Sequence, residues 1–137
     1  MGADHTAGLI VNPGMPPEEW AKASQQVQLI NAVCDSSGFC QFLQPTLDTI
    51  REFVGDLYGE EISREQIADQ GWECLQDEWE FNRRAGMTEA DDAMPDCMAQ
   101  DPIGPQELVW DVDPKVVAAA YTRFDNDEGL FSTKASG

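Results

Sequence analysis

The stretch SREQIADQGWECLQDEWEFNRRAG, Ser63–Gly86, decides the fold. Ser63 and Gln66 stand three apart, the spacing of a capping box, so a helix is expected to begin there. Ile67, Cys74, Leu75, Trp79 and Phe81 supply its apolar positions. Gly86 supplies a stop after Ala85. Gly71 weighs against the helix locally, by about 1 kcal/mol relative to alanine.

Two further helices precede this one. PTLDTIREFVGDLYG, residues 45–59, places Leu47, Ile50, Val54 and Leu57 on one stripe, with Gly59 just past the end. PPEEWAKASQQVQLINAVC, residues 16–34, opens with Pro17 in the first turn and with Glu18 and Glu19 at the positive end of the helix dipole. Trp20, Val27, Ile30 and Cys34 share one of its faces, and Gly38 ends the segment. Residues 1–16, with Gly2, Gly8, Pro13, Gly14 and Pro16, read as an irregular arm.

On the other side, residues 87–112 read as a long acidic connection broken by Pro95, Pro102, Gly104 and Pro105. Asp113 and Pro114 form a capping residue and a first-turn proline. They open a last helix over Val117, Ala120, Tyr121 and Phe124. Residues 125–137 are expected to fray. With no internal repeat and no period-two alternation, the expectation is an all-α fold. It is a single helical domain over 1–137, of about four helices with long loops.

Four tryptophans, six phenylalanines and 42% apolar content suit a folded globule. The charge is lopsided: 26 acidic residues against 8 basic, a net −18. Such a field opposes nucleic-acid backbones and anionic membrane surfaces, so neither is an expected partner. It fits either a surface of a larger assembly or a salt-adapted protein. No apolar run approaches the ~20 residues of a membrane span. Asp4 stands where a secretory signal needs basic residues, so a cytoplasmic location is expected.

Several clusters invite a chemical reading. DNDEGLFSTKAS, from Asp125, puts glycine fifth and serine twelfth, where a calcium loop needs glycine sixth and glutamate twelfth. TEADDAMPD, Thr88–Asp96, reads as a solvated loop. Cys34, Cys40, Cys74 and Cys97 lack the paired spacing of a zinc site, and Cys74 and Cys97 read as lone buried thiols. His5 is the only histidine, and in a loop it is either an ordinary surface residue or a general acid or base. DSSGFC, Asp35–Cys40, is the most suggestive segment. Asp35 can accept paired N–H donors, Gly38 permits a turn that other residues resist, and the Cys40 thiolate suits iron. The plain structural alternative is a helix C-cap with a buried cysteine.

CDSSGFC (34–40), followed by IADQGWECLQDEWEFNRRAGMTEADDAMPD (67–96), resembles the C-terminal region of the tungsten-dependent aldehyde ferredoxin oxidoreductases. The Phe-Asn-Arg-Arg-Ala-Gly run at Phe81–Gly86, with Asp-Asp-x-x-Pro at Asp91–Pro95, is the specific part of the match. The Asp-x-x-Gly-x-Cys segment and GADHT (2–6) are similar to shorter family segments. The resemblance implies that Asp35 and Gly38 bind a pterin, that Cys40 is the fourth ligand of a 4Fe–4S cluster, and that His5 lies near the metal as a proton-handling or substrate-orienting group.

Carried further, it implies the C-terminal domain or split subunit of an enzyme that oxidises aldehydes to carboxylates at a bis-pterin tungsten or molybdenum centre, with ferredoxin as electron acceptor. The family's Cys-x-x-Cys-x-x-x-Cys motif and second pterin segment are absent from this sequence. The partners implied are therefore the missing N-terminal and middle domains, in the same chain or in another subunit. The isolated chain is expected to be inactive and to hold no cofactor, whether it is an excised domain, a natural subunit or a truncated product. Ferredoxins are acidic, so ferredoxin is expected to dock elsewhere on the complete enzyme. The alternative is a non-catalytic acidic interaction module that keeps the family fold.

Overall fold

In the computed structural model, residues 15–125 and 127–132 are described. They form six α-helices and no strand: α1 Pro17–Ser36, α2 Leu47–Tyr58, α3 Arg64–Arg84, α4 Asp96–Gln100, α5 Pro114–Ala119 and α6 Asp127–Ser132. The all-α expectation holds among these residues. The irregular arm and His5 lie outside them, except for Met15 and Pro16.

The capping box behaves as its sequence dictates. The Gln66 amide donates to Ser63 Oγ over 3.1 Å, and the Ser63 amide donates back to Gln66 Oε1 over 2.8 Å. The helix starts one residue later, at Arg64, and ends at Arg84. At its far end Gly86, with φ +97°, lets the Met87 amide reach the Asn82 carbonyl over 3.0 Å.

α1 and α3 share the most extensive contact, and Gly71 explains how closely they meet. A Cβ there would lie 2.7 Å from Val33 Cγ2, 2.8 Å from Leu29 Cδ2 and 2.9 Å from the Leu29 carbonyl oxygen. The residue that weakens α3 locally thus permits the backbone of α1 to pass against it. Around this crossing the core gathers Leu29, Ile30, Val33 and Cys34 of α1, Leu47 and Ile50 of α2, and Ile67, Ala68 and Leu75 of α3.

Leu130 and Phe131 of α6 close the core from the end of the chain, within the segment expected to fray. Arg64 caps the Phe131 ring, its guanidinium carbon 4.7 Å from the ring centroid. Residues 133–137 lie outside the described structure.

Two stripes end earlier than periodicity suggests. Leu57 is 66% exposed and Phe81 is 73% exposed. The fully buried positions of α3 lie between Ile67 and Leu75, so its last turns run beyond the neighbours that cover it. Beyond that point Trp79 stacks edge-on between Trp72 and Tyr121, at 5.2 Å and 5.0 Å between ring centroids.

The acidic connection contains a 3-10 turn at Glu89–Asp92, the short α4, and a bridge pairing Ile103 with Leu108. The last predicted helix stops at Ala119 because the buried Gln25 of α1 captures the chain beyond it. Gln25 Nε2 donates to the carbonyls of Ala120 at 2.7 Å and Thr122 at 3.0 Å, and Oε1 accepts from the Phe124 amide at 2.8 Å. Gln25→Leu keeps most of the volume and removes all three bonds. It is expected to cost about 2–4 kcal/mol in a urea titration, since the partners left behind are partly buried.

Candidate functional site

The segment singled out in the sequence lies where α1 leaves the core. The Gly38 amide donates to the Asp35 carbonyl over 3.2 Å, and the Phe39 amide donates to the Cys34 carbonyl over 2.9 Å. Gly38 has φ +73°, so the pair of bonds is a Schellman closure that only glycine forms without strain. A Cβ at Gly38 would meet no atom within 4 Å, so the space in front of the turn is open.

The closure sorts the side chains. Cys34 stays in the core, its Sγ 3.5 Å from the Phe39 carbonyl oxygen. The Phe39 ring folds back and meets Phe53 of α2 edge-on at 5.0 Å. Asp35, Gly38 and Cys40 are exposed. The C-cap reading and the site reading therefore coexist: the buried cysteine is Cys34, while Cys40 stands outside at the start of a 3-10 turn, Gln41–Leu43. Gln41, next to Cys40 in sequence, turns back to Asp35, its Nε2 donating to Asp35 Oδ1 over 3.0 Å. Sequence reading did not find this bond, because a glutamine six residues away carries no motif.

Burial pushes the Cys34 thiol up to about 11, with the charge of Asp35 and then that of Cys40 adding to the effect. An unfolded thiol deprotonates near 9.0, so the folded state holds this proton more tightly between 9.0 and about 11. Stability is then fully present below pH 9 and falls as pH rises through that window, by about 2–3 kcal/mol. Denaturant titrations from pH 8 to 11 check this, and Cys34→Ala is expected to remove most of the decline.

The other cysteines are not a second site. Cys74 is half-buried, its Sγ 3.3 Å from Ser36 Oγ, while Cys97 is exposed rather than buried. Among the described residues no three His, Cys, Asp or Glu side chains converge as metal ligands. An open groove lined by Arg51, Asp56 and Glu60–Ile62 shares no residue with the Asp35–Cys40 segment, and Arg51 is already bonded to Asp48, Glu52 and the Ile62 carbonyl. No helix among the described residues is long and apolar enough to cross a membrane.

Residues 1–126, which include the turn, both halves of the downstream motif and His5, match the family described as aldehyde ferredoxin oxidoreductase, domains 2 & 3. Comparison with curated proteins and with solved structures gives no match. The chain belongs to the aldehyde ferredoxin oxidoreductase family, in the region of its domains 2 and 3.

Proposed function

We propose that this chain forms one wall of the cofactor bay of an oxidoreductase that converts aldehydes to carboxylates. The observation that carries the reading is the turn itself, which sets a carboxylate and a thiol outside the fold at one helix end, before open space. When bound, a pterin-held tungsten or molybdenum supplies the two-electron acceptor and a 4Fe–4S cluster the one-electron relay.

The residues fit a share of those groups. Gln41 orients the exposed Asp35 carboxylate through Oδ1, which suits a carboxylate accepting N–H groups from a pterin's amino edge. Gly38 holds the turn that presents it. Cys40 would provide one thiolate of the four that a cluster needs, and the other three would come from outside the described residues. His5 would handle a proton or orient the aldehyde near the metal. The overall change is balanced: an aldehyde and water give a carboxylate, three protons and two electrons, and the electrons pass singly to two ferredoxins.

Asp35→Asn tests the pterin role, because an amide of the same shape presents a donor where the pterin needs an acceptor. In the assembled enzyme the pterin content, read fluorimetrically after oxidative release, is expected to fall at least tenfold with the fold intact. Unchanged pterin content would remove Asp35 from the site. The second reading, a non-catalytic interaction module, draws on the exposed Phe42 and Leu43 beside the turn. It predicts a tight partner and no cofactor.

A further inference from the structure

We propose that Cys34 and Cys40 are a reversible thiol–disulfide pair, closed by exchange with low-molecular-weight disulfides and reopened by dithiols. The pair is a property of this chain alone and does not depend on the cofactor reading. A straight helix would carry two residues six positions apart about 9 Å along its axis. The reversal at Gly38, with φ +73°, brings them back together. The Phe39 amide donates to the Cys34 carbonyl over 2.9 Å, and the Leu43 amide donates to the Cys40 carbonyl over 3.0 Å. Backbone bonds thus hold both cysteines in place across the turn.

Cys34 Sγ lies 3.5 Å from the Phe39 carbonyl oxygen, against the peptide that leads into Cys40. Ordinary peptide geometry then puts this sulfur no more than about 6.5 Å from the Cys40 Cα. Behind burial and the Asp35 charge, the charge of Cys40 also helps hold the proton on Cys34, so the two sulfurs are electrostatic neighbours. The other thiols are placed differently. Cys74 Sγ lies against Ser36 Oγ at 3.3 Å, and Cys97 belongs to α4.

Exposure divides the work between the pair. Cys40 is exposed and meets the oxidant, while Cys34 is buried behind the turn. The Cys40 thiolate attacks one sulfur of a small disulfide, forming a mixed disulfide and releasing one small thiolate. Local opening of the turn then lets Cys34 attack the Cys40 sulfur, which releases the second small thiolate. The protons lost by the two cysteines end on the two small thiols, so two thiols and one disulfide give one disulfide and two thiols. Closure withdraws the exposed Cys40 thiol, and reduction restores it. In a reducing compartment such bonds are transient and redox-sensing.

The test treats the reduced, folded full chain with glutathione disulfide, blocks the remaining thiols and maps the bonds by mass spectrometry. Cys34 and Cys40 share the tryptic peptide 23–51, while Cys74 and Cys97 fall in other peptides. Cleavage before Asp35 separates the pair, so a bond between them is read as two joined fragments. The wild type is expected to close Cys34 to Cys40 and to keep Cys74 and Cys97 reduced. In Cys34→Ala the glutathione on Cys40 is expected to persist at least about tenfold longer. In Cys40→Ser, where no core side chain changes, Cys34 is expected to react at least about tenfold more slowly than in the wild type.

A lasting glutathione adduct on Cys40 of the wild type, with Cys34 still reduced, would overturn the proposal. So would a bond to Cys74 or Cys97, a bond between two chains, or a Cys34–Cys40 bond that forms only after urea has unfolded the protein.

Discussion

Gly71→Val is expected to destabilise the domain by about 3 kcal/mol or more. Propensity alone argues the other way, since glycine inside a helix is worse than alanine by ~1 kcal/mol. The crossing decides the sign. The first carbon added at Gly71 lands 2.7–2.9 Å from Val33, from the Leu29 side chain and from the Leu29 carbonyl. The two side chains can shift rotamer, but the carbonyl belongs to the backbone of α1 and moves only if the helices part. Overpacking of this kind costs about 1–3 kcal/mol for small additions, and valine adds two further methyl groups. Gly71→Ala is expected to lose about 1–2 kcal/mol. Urea titration at pH 7 measures both, and an alanine variant more stable than the wild type would contradict the close α1–α3 crossing.

Cys40→Ser has the largest expected functional effect. In the complete enzyme, if Cys40 ligates the cluster as proposed, bound iron is expected to fall below about one tenth of the wild-type content, because one of four thiolate ligands would be gone. Cys40 is exposed and makes no core contact, so the melting temperature of the isolated chain should not change. Cys97→Ser, also at an exposed cysteine, serves as the control and should leave the iron in place. Iron and visible absorbance retained by Cys40→Ser would remove the cysteine from the ligand set.

The long helices were legible because their ends are written locally. Ser63 with Gln66, and the glycines at 38, 59 and 86, mark starts and stops to within a few residues. What escaped depends on distant partners. The early end of α5 comes from Gln25, far away in sequence, which takes up the chain beyond Ala119. α6 has only six residues, too few for periodicity to identify, and it is held by burying Leu130 and Phe131. Leu57 and Phe81 show the complementary limit, since a stripe gives the direction of a face but not how far the neighbour reaches along it.

The turn was legible for the same local reason as the caps. Asp35, Gly38 and Cys40 lie on a closure whose geometry follows from the glycine, and the structure sets Asp35 and Cys40 outside the fold. The chemical roles proposed for them came from resemblance rather than spacing. Cys34 shows why spacing is not enough: two cysteines six positions apart divide between core and surface because the chain reverses between them.

The most direct test is anaerobic metal analysis with a visible spectrum, on this chain alone and on the chain co-expressed with the upstream domains of a longer family member. The account predicts iron, together with tungsten or molybdenum, in the co-purified pair and in neither part alone. A folded, associated pair that acquires no metal would contradict it and leave the chain a helical interaction module with the family fold.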